Sequence, residues 1–243
     1  MISAEELQTR FQAIQNEIHG LSDETVTLVA VSKTFPPGVF DLCVEAGIKH
    51  IGENRIQELR DKTALKPQAR KELYIHFIGS LQSNKAKYLG GVADSFDALS
   101  SLEVLEKINA RWKEPKPLAV LLQINSTTEE QKAGLPIDDY PAIREFAREC
   151  LRTPAVQLEG LMTMGPTPSG NETIDDLSYR EATQRAFLKS ADLKKRLCDD
   201  LGVALPRLSM GMSHDYRLAV ECGSTEVRIG SALFGARDYA NQK

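Results

Sequence analysis

No stretch of this sequence comes near the roughly 20 consecutive apolar residues that a membrane span requires. The opening Met1-Ile2-Ser3-Ala4-Glu5-Glu6 has neither the basic start nor the apolar centre of a secretory leader, so a cytoplasmic protein with no membrane partner is the expectation. Cysteine is scarce: Cys43, Cys150, Cys198 and Cys222 stand far apart, with no CxxC pair for a zinc ribbon or a redox dithiol, and reduced, mostly buried thiols are expected. His19, His50, His76 and His214 are scattered, and without HExxH or EF-hand spacing no metal site is expected. Walker A, GxSxG and GxGxxG are missing too, which removes the usual phosphate-loop, serine-hydrolase and dinucleotide fingerprints. Positive charge is not in excess: 30 Lys and Arg face 34 Asp and Glu, a net charge of −4, and nucleic acid is not an expected partner.

What is present is ordinary globular composition, 42% hydrophobic and 26% charged over 243 residues. That length suits one α/β barrel, a fold that needs about 250 residues. Leu7, Phe11, Ile14, Ile18 and Leu21 recur at steps of four and three, which is one apolar stripe on a helix preceding the first strand. Thr25 to Val31 is short, β-branched and apolar throughout, as a parallel strand buried on both faces should be. An amphipathic stretch from Val39 to Ala46 closes at Gly47, and His50-Ile51-Gly52 follows as a second strand before a helix through Ile56 and Leu59. Further strands read at Tyr74 to Ile78, Val92 to Phe96, Leu118 to Ile124, Val156 to Met162, Arg207 to Met210 and Glu226 to Ile229. The alternation predicts a single (β/α)8 barrel over residues 1–243 with an extra N-terminal helix. A doubly wound open sheet is the rival that periodicity does not exclude. The Pro-rich 113–117 segment and the 165–176 loop read as surface connections.

In a barrel, chemistry gathers at the C-terminal ends of the strands. Lys33 ends strand one, where desolvation would lower its amine pKa and prepare it to attack a carbonyl; the plain alternative is a surface lysine. Gly230-Ser231 after the last strand offers backbone N–H groups and a helix start to an anion, and Ser209, Gly211, Ser213 and the Gly223-Ser224-Thr225 turn could add donors; ordinary turns would look the same. Arg228, between Val227 and Ile229, needs a partner, with Glu226 or Glu53 the nearest acids in sequence logic.

Taken together, Leu28 to Thr34, Gly52 to Glu58, His76 to Lys85, Gly160 to Met164, Ser209 to Ser213 and Val227 to Ser231, continuing through Phe234-Gly235-Ala236-Arg237, make a pattern along nearly the whole chain. It strongly resembles the YggS/PROSC family of pyridoxal-phosphate homeostasis proteins. The resemblance implies a fold-type III barrel like the N-terminal domain of alanine racemase, with pyridoxal 5′-phosphate held as a Schiff base on Lys33. It further implies Arg228 facing the pyridine nitrogen and Ser209, Gly230 and Ser231 around the phosphate, with Ser224 and Thr225 as helpers and Asn54 and His76 as pocket positions. Ser231 stands where relatives often carry Thr, and both keep the hydroxyl.

The function so implied is intracellular buffering and delivery of the cofactor by a monomer, with apo enzymes as possible recipients and no catalytic residue assigned. An arginine at the ring nitrogen weakens the cofactor as an electron sink, and alanine racemases complete their site with a second domain that is not evident here. An amino-acid racemase or another weak pyridoxal-phosphate enzyme is the alternative. A Schiff-base aldolase of phosphorylated sugars would also use a barrel lysine and a phosphate cradle.

Overall fold

Short apolar segments that can be covered on both faces favour parallel pairing with helical crossovers, and the chain uses this device around a full circle. The computed structural model describes residues 2–127, 129 and 131–235. Its barrel strands are β1 (Thr27–Val31), β2 (His50–Glu53), β3 (Tyr74–Phe77), β4 (Ser95–Leu99), β5 (Leu118–Asn125), β6 (Val156–Thr163), β7 (Arg207–Ser209) and β8 (Glu226–Ile229). Each pairs in parallel with the next, and β8 pairs with β1, Val29 opposite Arg228, so the barrel has no open edge. That pairing excludes the open doubly wound sheet. A two-residue segment, Leu135–Pro136, adds to the end of β5.

The outer ring holds α2 (Val39–Glu45), α3 (Ile56–Leu65), α4 (Pro67–Glu72), α5 (Leu102–Arg111), α6 (Tyr140–Arg152), α7 (Leu177–Leu201), α8 (Tyr216–Glu221) and α9 (Ser231–Phe234). Between β3 and β4 the crossover is a 3-10 segment, Ser83–Tyr88. Its end explains why the fourth strand runs over Ser95–Leu99 and not Val92 to Phe96: the amides of Val92 and Ala93 are bonded back to Leu89 O in the turn.

The expected N-terminal helix is α1 (Ala4–Leu21), started by Ser3, whose hydroxyl accepts from the Glu6 amide. It buries Leu7, Ile14 and Ile18 and lies against α2, α8 and α9. Glu17 accepts from Tyr216 and Arg217 of α8, and Arg10 Nη1 donates to Leu233 O of α9 at 3.0 Å. Because α9 is only four residues long, α1 covers the seam where the last barrel unit meets the first.

Alternation along the strands sends Leu28, Ala30, Ile51, Ile75, Phe77, Leu208, Val227 and Ile229 outward under the helices, all buried. The inward positions differ in kind: below a cavity at the C-terminal end several are ionisable, among them His76, Asp97, Arg207 and Glu226.

Candidate functional site

The lower interior layer is an ionic cluster. Arg207, at the start of β7, reaches Asp97 at 3.1 Å, Glu226 at 2.8 Å, Glu159 at 3.1 Å and Ser95 Oγ at 2.8 Å. His76 Nδ1 lies 2.8 Å from Asp97 Oδ2, and its Nε2 lies 3.0 Å from His50 Nδ1. Burial opposes ionisation of Asp97, but His76 and Arg207 prevail and hold its carboxyl well below the usual carboxylate range. His76, Asp97 and Glu226 are close enough together to suit a metal ion. The Arg207 guanidinium already occupies the space between the two carboxylates as their counter-cation.

One layer higher, Arg228 is 4% exposed and uses Nη1 on Ser209 Oγ and Nη2 on Thr163 O, both at 2.8 Å. The acids expected to pair with it are engaged elsewhere: Glu226 with Arg207, and Glu53 with Lys62 at 2.6 Å on the helix side of β2. Burial pushes the Arg228 guanidinium down and Glu226, Asp97 and Asp215 pull it up, yet a guanidinium starts so high that it stays a cation.

Above Arg228 opens a cavity of about 580 Å³, in the range of small-molecule sites. Lys33, Asn54, Arg228, Gly230 and Ser231 line it, together with Gln123, Met162, Met164, Met212, Ser213 and His214. Lys33 sits on the turn leaving β1, followed by Thr34 at φ 73°, a left-handed conformation unusual for a β-branched residue. Phe35 fastens this turn by packing on Phe234 of α9, ring centroids 5.0 Å apart. Behind it, Lys62 Nζ donates to Ser32 O at 3.0 Å and to Glu53, and Ser32 Oγ donates to the same carboxylate. This buried group fixes the backbone immediately before Lys33.

At the opposite wall the Ser213 hydroxyl accepts from the amides of Gly230 at 3.2 Å and Ala232 at 3.3 Å. It occupies the position where an anionic oxygen would meet those N–H groups. The loop carrying Ser213 is held by Asp215, which accepts from the Met212 amide at 2.6 Å. Asn54 Oδ1 is buried in the wall without a hydrogen-bond partner among the described residues.

The structure therefore brings Lys33, Asn54, Arg228, Gly230 and Ser231 to one cavity, with Ser209 directly beneath, bonded to Arg228. It does not bring His76, Ser224 or Thr225 there. His76 shares the inward face of β3 with Ile78, which lines the cavity, but stands a layer lower. Ser224 and Thr225 precede β8 and so lie toward its opposite end. The Ser224 hydroxyl donates to Met210 O and Leu208 O, and the Thr225 hydroxyl accepts from the Leu208 amide. The sequence assigns no particular role to Gln123 or His214 and covers Met162, Met164 and Met212 only within motifs, whereas Ser213, expected as a possible donor to an anion, does line the cavity. Alternate spacing after a strand was the available signal for Met162 and Met164. Of the motif continuing past Phe234, Ala236 and Arg237 lie outside the described residues.

Comparison with known proteins agrees with this geometry. A family model described as alanine racemase, N-terminal domain, matches residues 2–238. The pyridoxal phosphate homeostasis protein of Aquifex aeolicus is 37% identical over 243 residues, covering 98% of this chain and 100% of its own. The human pyridoxal phosphate homeostasis protein is 37% identical over 244 residues, covering 95% of this chain and 84% of its own. Among solved structures, PipY of Synechococcus elongatus with PLP bound superposes with a TM-score of 0.77 at 30% identity, over 94% of this chain and 100% of that one. An alanine racemase of Clostridium difficile shares the fold, at a TM-score of 0.71 and 18% identity, over 97% of this chain and 58% of its own.

Proposed function

Since the chain belongs to the alanine racemase N-terminal domain family, among the pyridoxal phosphate homeostasis proteins, we propose that it binds pyridoxal 5′-phosphate as a Schiff base on Lys33 and stores and hands on that cofactor. The observation that carries the reading is convergence: an amine from the end of β1 and a buried cation and an amide cradle from the end of β8 face one cavity. The donor set fits the group. Lys33 is the amine for its aldehyde, Arg228 the cation for its pyridine nitrogen, and Ser231 with the Gly230 amide, which the Ser213 hydroxyl engages in the anion's place, the donors for its phosphate. Asn54 Oδ1, without a hydrogen-bond partner among the described residues, is a buried acceptor suited to a ligand donor.

Bound in this way, the cofactor supplies an electrophilic carbon that primary amines can attack. The chain's own residues orient it and limit it. Arg228, locked by Ser209 and Thr163, disfavours a protonated ring and so restrains electron withdrawal, which supports a holding role over a dedicated catalytic one. Ser32, clamped by Lys62 and Glu53, keeps Lys33 aimed at the cavity. Within this proposal the protein acts as a cytoplasmic monomer, and apo forms of pyridoxal-phosphate enzymes are its recipients.

The test is a visible absorbance spectrum followed by borohydride reduction and peptide mass mapping. A yellow protein with the adduct on Lys33, lost in Lys33→Ala, is expected. A colourless protein that added cofactor does not label overturns the reading. Amino-acid racemisation at roughly 1 to 1,000 per second would overturn the non-catalytic part alone.

A further inference from the structure

Among the described residues that line the cofactor cavity, only Lys33, Arg228 and His214 can carry a positive charge, and none carries a carboxylate. Two of the three are committed. Lys33 is the amine for the aldehyde, and both terminal nitrogens of Arg228 are bonded, to Ser209 and to Thr163. The cradle itself, the Gly230 amide with the Ser213 and Ser231 hydroxyls, is electrically neutral. A phosphate monoester carries a charge of about −1.5 to −2 at neutral pH, and neutral donors alone leave most of it uncompensated.

His214 follows Ser213 directly, so their Cα atoms are about 3.8 Å apart and the imidazole stands within a side chain's length of the cradle. Its side chain is 46% exposed, and the ring is tethered by one edge: Nε2 lies 3.5 Å from Asp215 Oδ2 and 3.5 Å from Tyr179 Oη. Both anchors are buried, Asp215 with 1% and Tyr179 with 4% exposure. Each has a second bond that fixes it. Asp215 Oδ1 accepts from the Met212 amide at 2.6 Å, and the Tyr179 hydroxyl donates to Pro166 O at 3.1 Å. His214 Nδ1 has no hydrogen-bond partner among the described residues. A carboxylate behind one nitrogen of an imidazole fixes the ring and leaves the other nitrogen to a ligand.

Resting on the cofactor assignment above, we propose that His214 is a specificity-determining residue whose Nδ1 bonds a phosphate oxygen, so that the site selects the phosphorylated form of the cofactor over the dephosphorylated one. Asp215 and Tyr179 are its positioning residues. Nε2 keeps a proton directed at these two anchors, and one further proton is shared between Nδ1 and the phosphate oxygen. A phosphate monoester exchanges its second proton at about pH 6, so that shared proton is at hand near neutrality and the bond is charge-assisted. No covalent bond forms or breaks.

Two titrations test this. On cofactor-free protein, inorganic phosphate followed by calorimetry should bind saturably, and His214→Asn should weaken it about tenfold, the loss of one charge-assisted hydrogen bond at a half-exposed site. Affinities for pyridoxal 5′-phosphate and for pyridoxal, followed by absorbance, give a ratio that should fall about tenfold in His214→Asn and about threefold in Asp215→Asn, whose side-chain oxygen still serves the Met212 amide. The ratio separates this role from a structural one, because a loosened cavity weakens both forms alike. An unchanged ratio in His214→Asn, no saturable binding of phosphate by the wild type, or equally tight phosphate binding by the variant would each overturn the proposal. Failure of the cofactor assignment itself would look different: neither form would change the spectrum of any variant, while the phosphate titration would still report on His214.

Discussion

Replacing Arg207 by Met leaves a side chain of similar length without its charge, inside a layer that contains three carboxylates. Arg207 is 15% exposed and its partners Asp97 and Glu226 are 0% and 2% exposed, so water cannot take over the role of counter-cation. Removing one partner of a buried ion pair costs about 3–5 kcal/mol, because the other charge stays buried and unpaired. For a chain of this size each kcal/mol moves Tm by about 2–4 °C, so thermal unfolding followed by circular dichroism at pH 7 should show a drop of about 6–20 °C. The pH dependence gives the cause. Asp97 is held below its unfolded pKa of about 4, so its pairing contributes stability above that value, which is lost as pH falls below it through the lower folded pKa. Without Arg207 the folded carboxyl takes up a proton more readily, and the gap between variant and wild type should narrow from pH 7 toward pH 4. A drop of less than about 2 °C at pH 7, or a gap that does not narrow with acid, would refute the view that Arg207 is the counter-cation of the barrel floor.

Two further outcomes follow from packing and burial. A Cβ at Gly79 would sit 2.0 Å from Asn54 O and 2.7 Å from its carbonyl carbon, backbone atoms that cannot rotate away. Gly79→Ala should therefore cost about 1–3 kcal/mol or more in urea unfolding and loosen cofactor retention at the Asn54 wall; unchanged values for both would count against that wall's role. Burial pushes the Cys43 and Cys150 thiols up to about 12, so in a disulfide-exchange assay at pH 8 the part-exposed Cys198 should react first, with those two following only as the protein unfolds. Rapid native labelling of Cys43 and Cys150 would contradict their burial.

Much of the barrel is visible in the sequence because strands such as Thr27–Val31 and Leu118–Asn125 are compact apolar runs and helices such as α1 and α6 carry a 3.6-residue stripe. Lys33, Arg228 and Gly230 could be found because they stand at or just past strand ends. The misplaced residues fail for definite reasons. Thr225 and Ser224 come before the last strand, and in a parallel barrel that position belongs to the end opposite Lys33; chain order alone contained that information. His76 needed its strand register, since inward residues two apart occupy different layers. The salt-bridge partners were beyond reach of the sequence: Arg207 with Glu226, and Lys62 with Glu53, depend on which face each strand turns to its neighbours. The fourth strand was displaced because Val92 is β-branched like a strand residue, but it and Ala93 spend their amides on a turn.

The seam closed by α1 sets an order on folding. Its polar ties join residues 199 to 223 positions apart in the chain: Glu17 to Tyr216, Glu17 to Arg217, and Arg10 to the Leu233 carbonyl. During synthesis this helix leaves the ribosome long before α8 and α9, so it must wait with part of its apolar face, Leu7, Ile14 and Ile18, uncovered until they arrive. Contacts of such separation slow folding and expose apolar surface meanwhile. The protein's window of vulnerability to aggregation is therefore tied to the time taken to translate the roughly 200 residues between these partners, and it ends only when α1 docks beside α8 and α9.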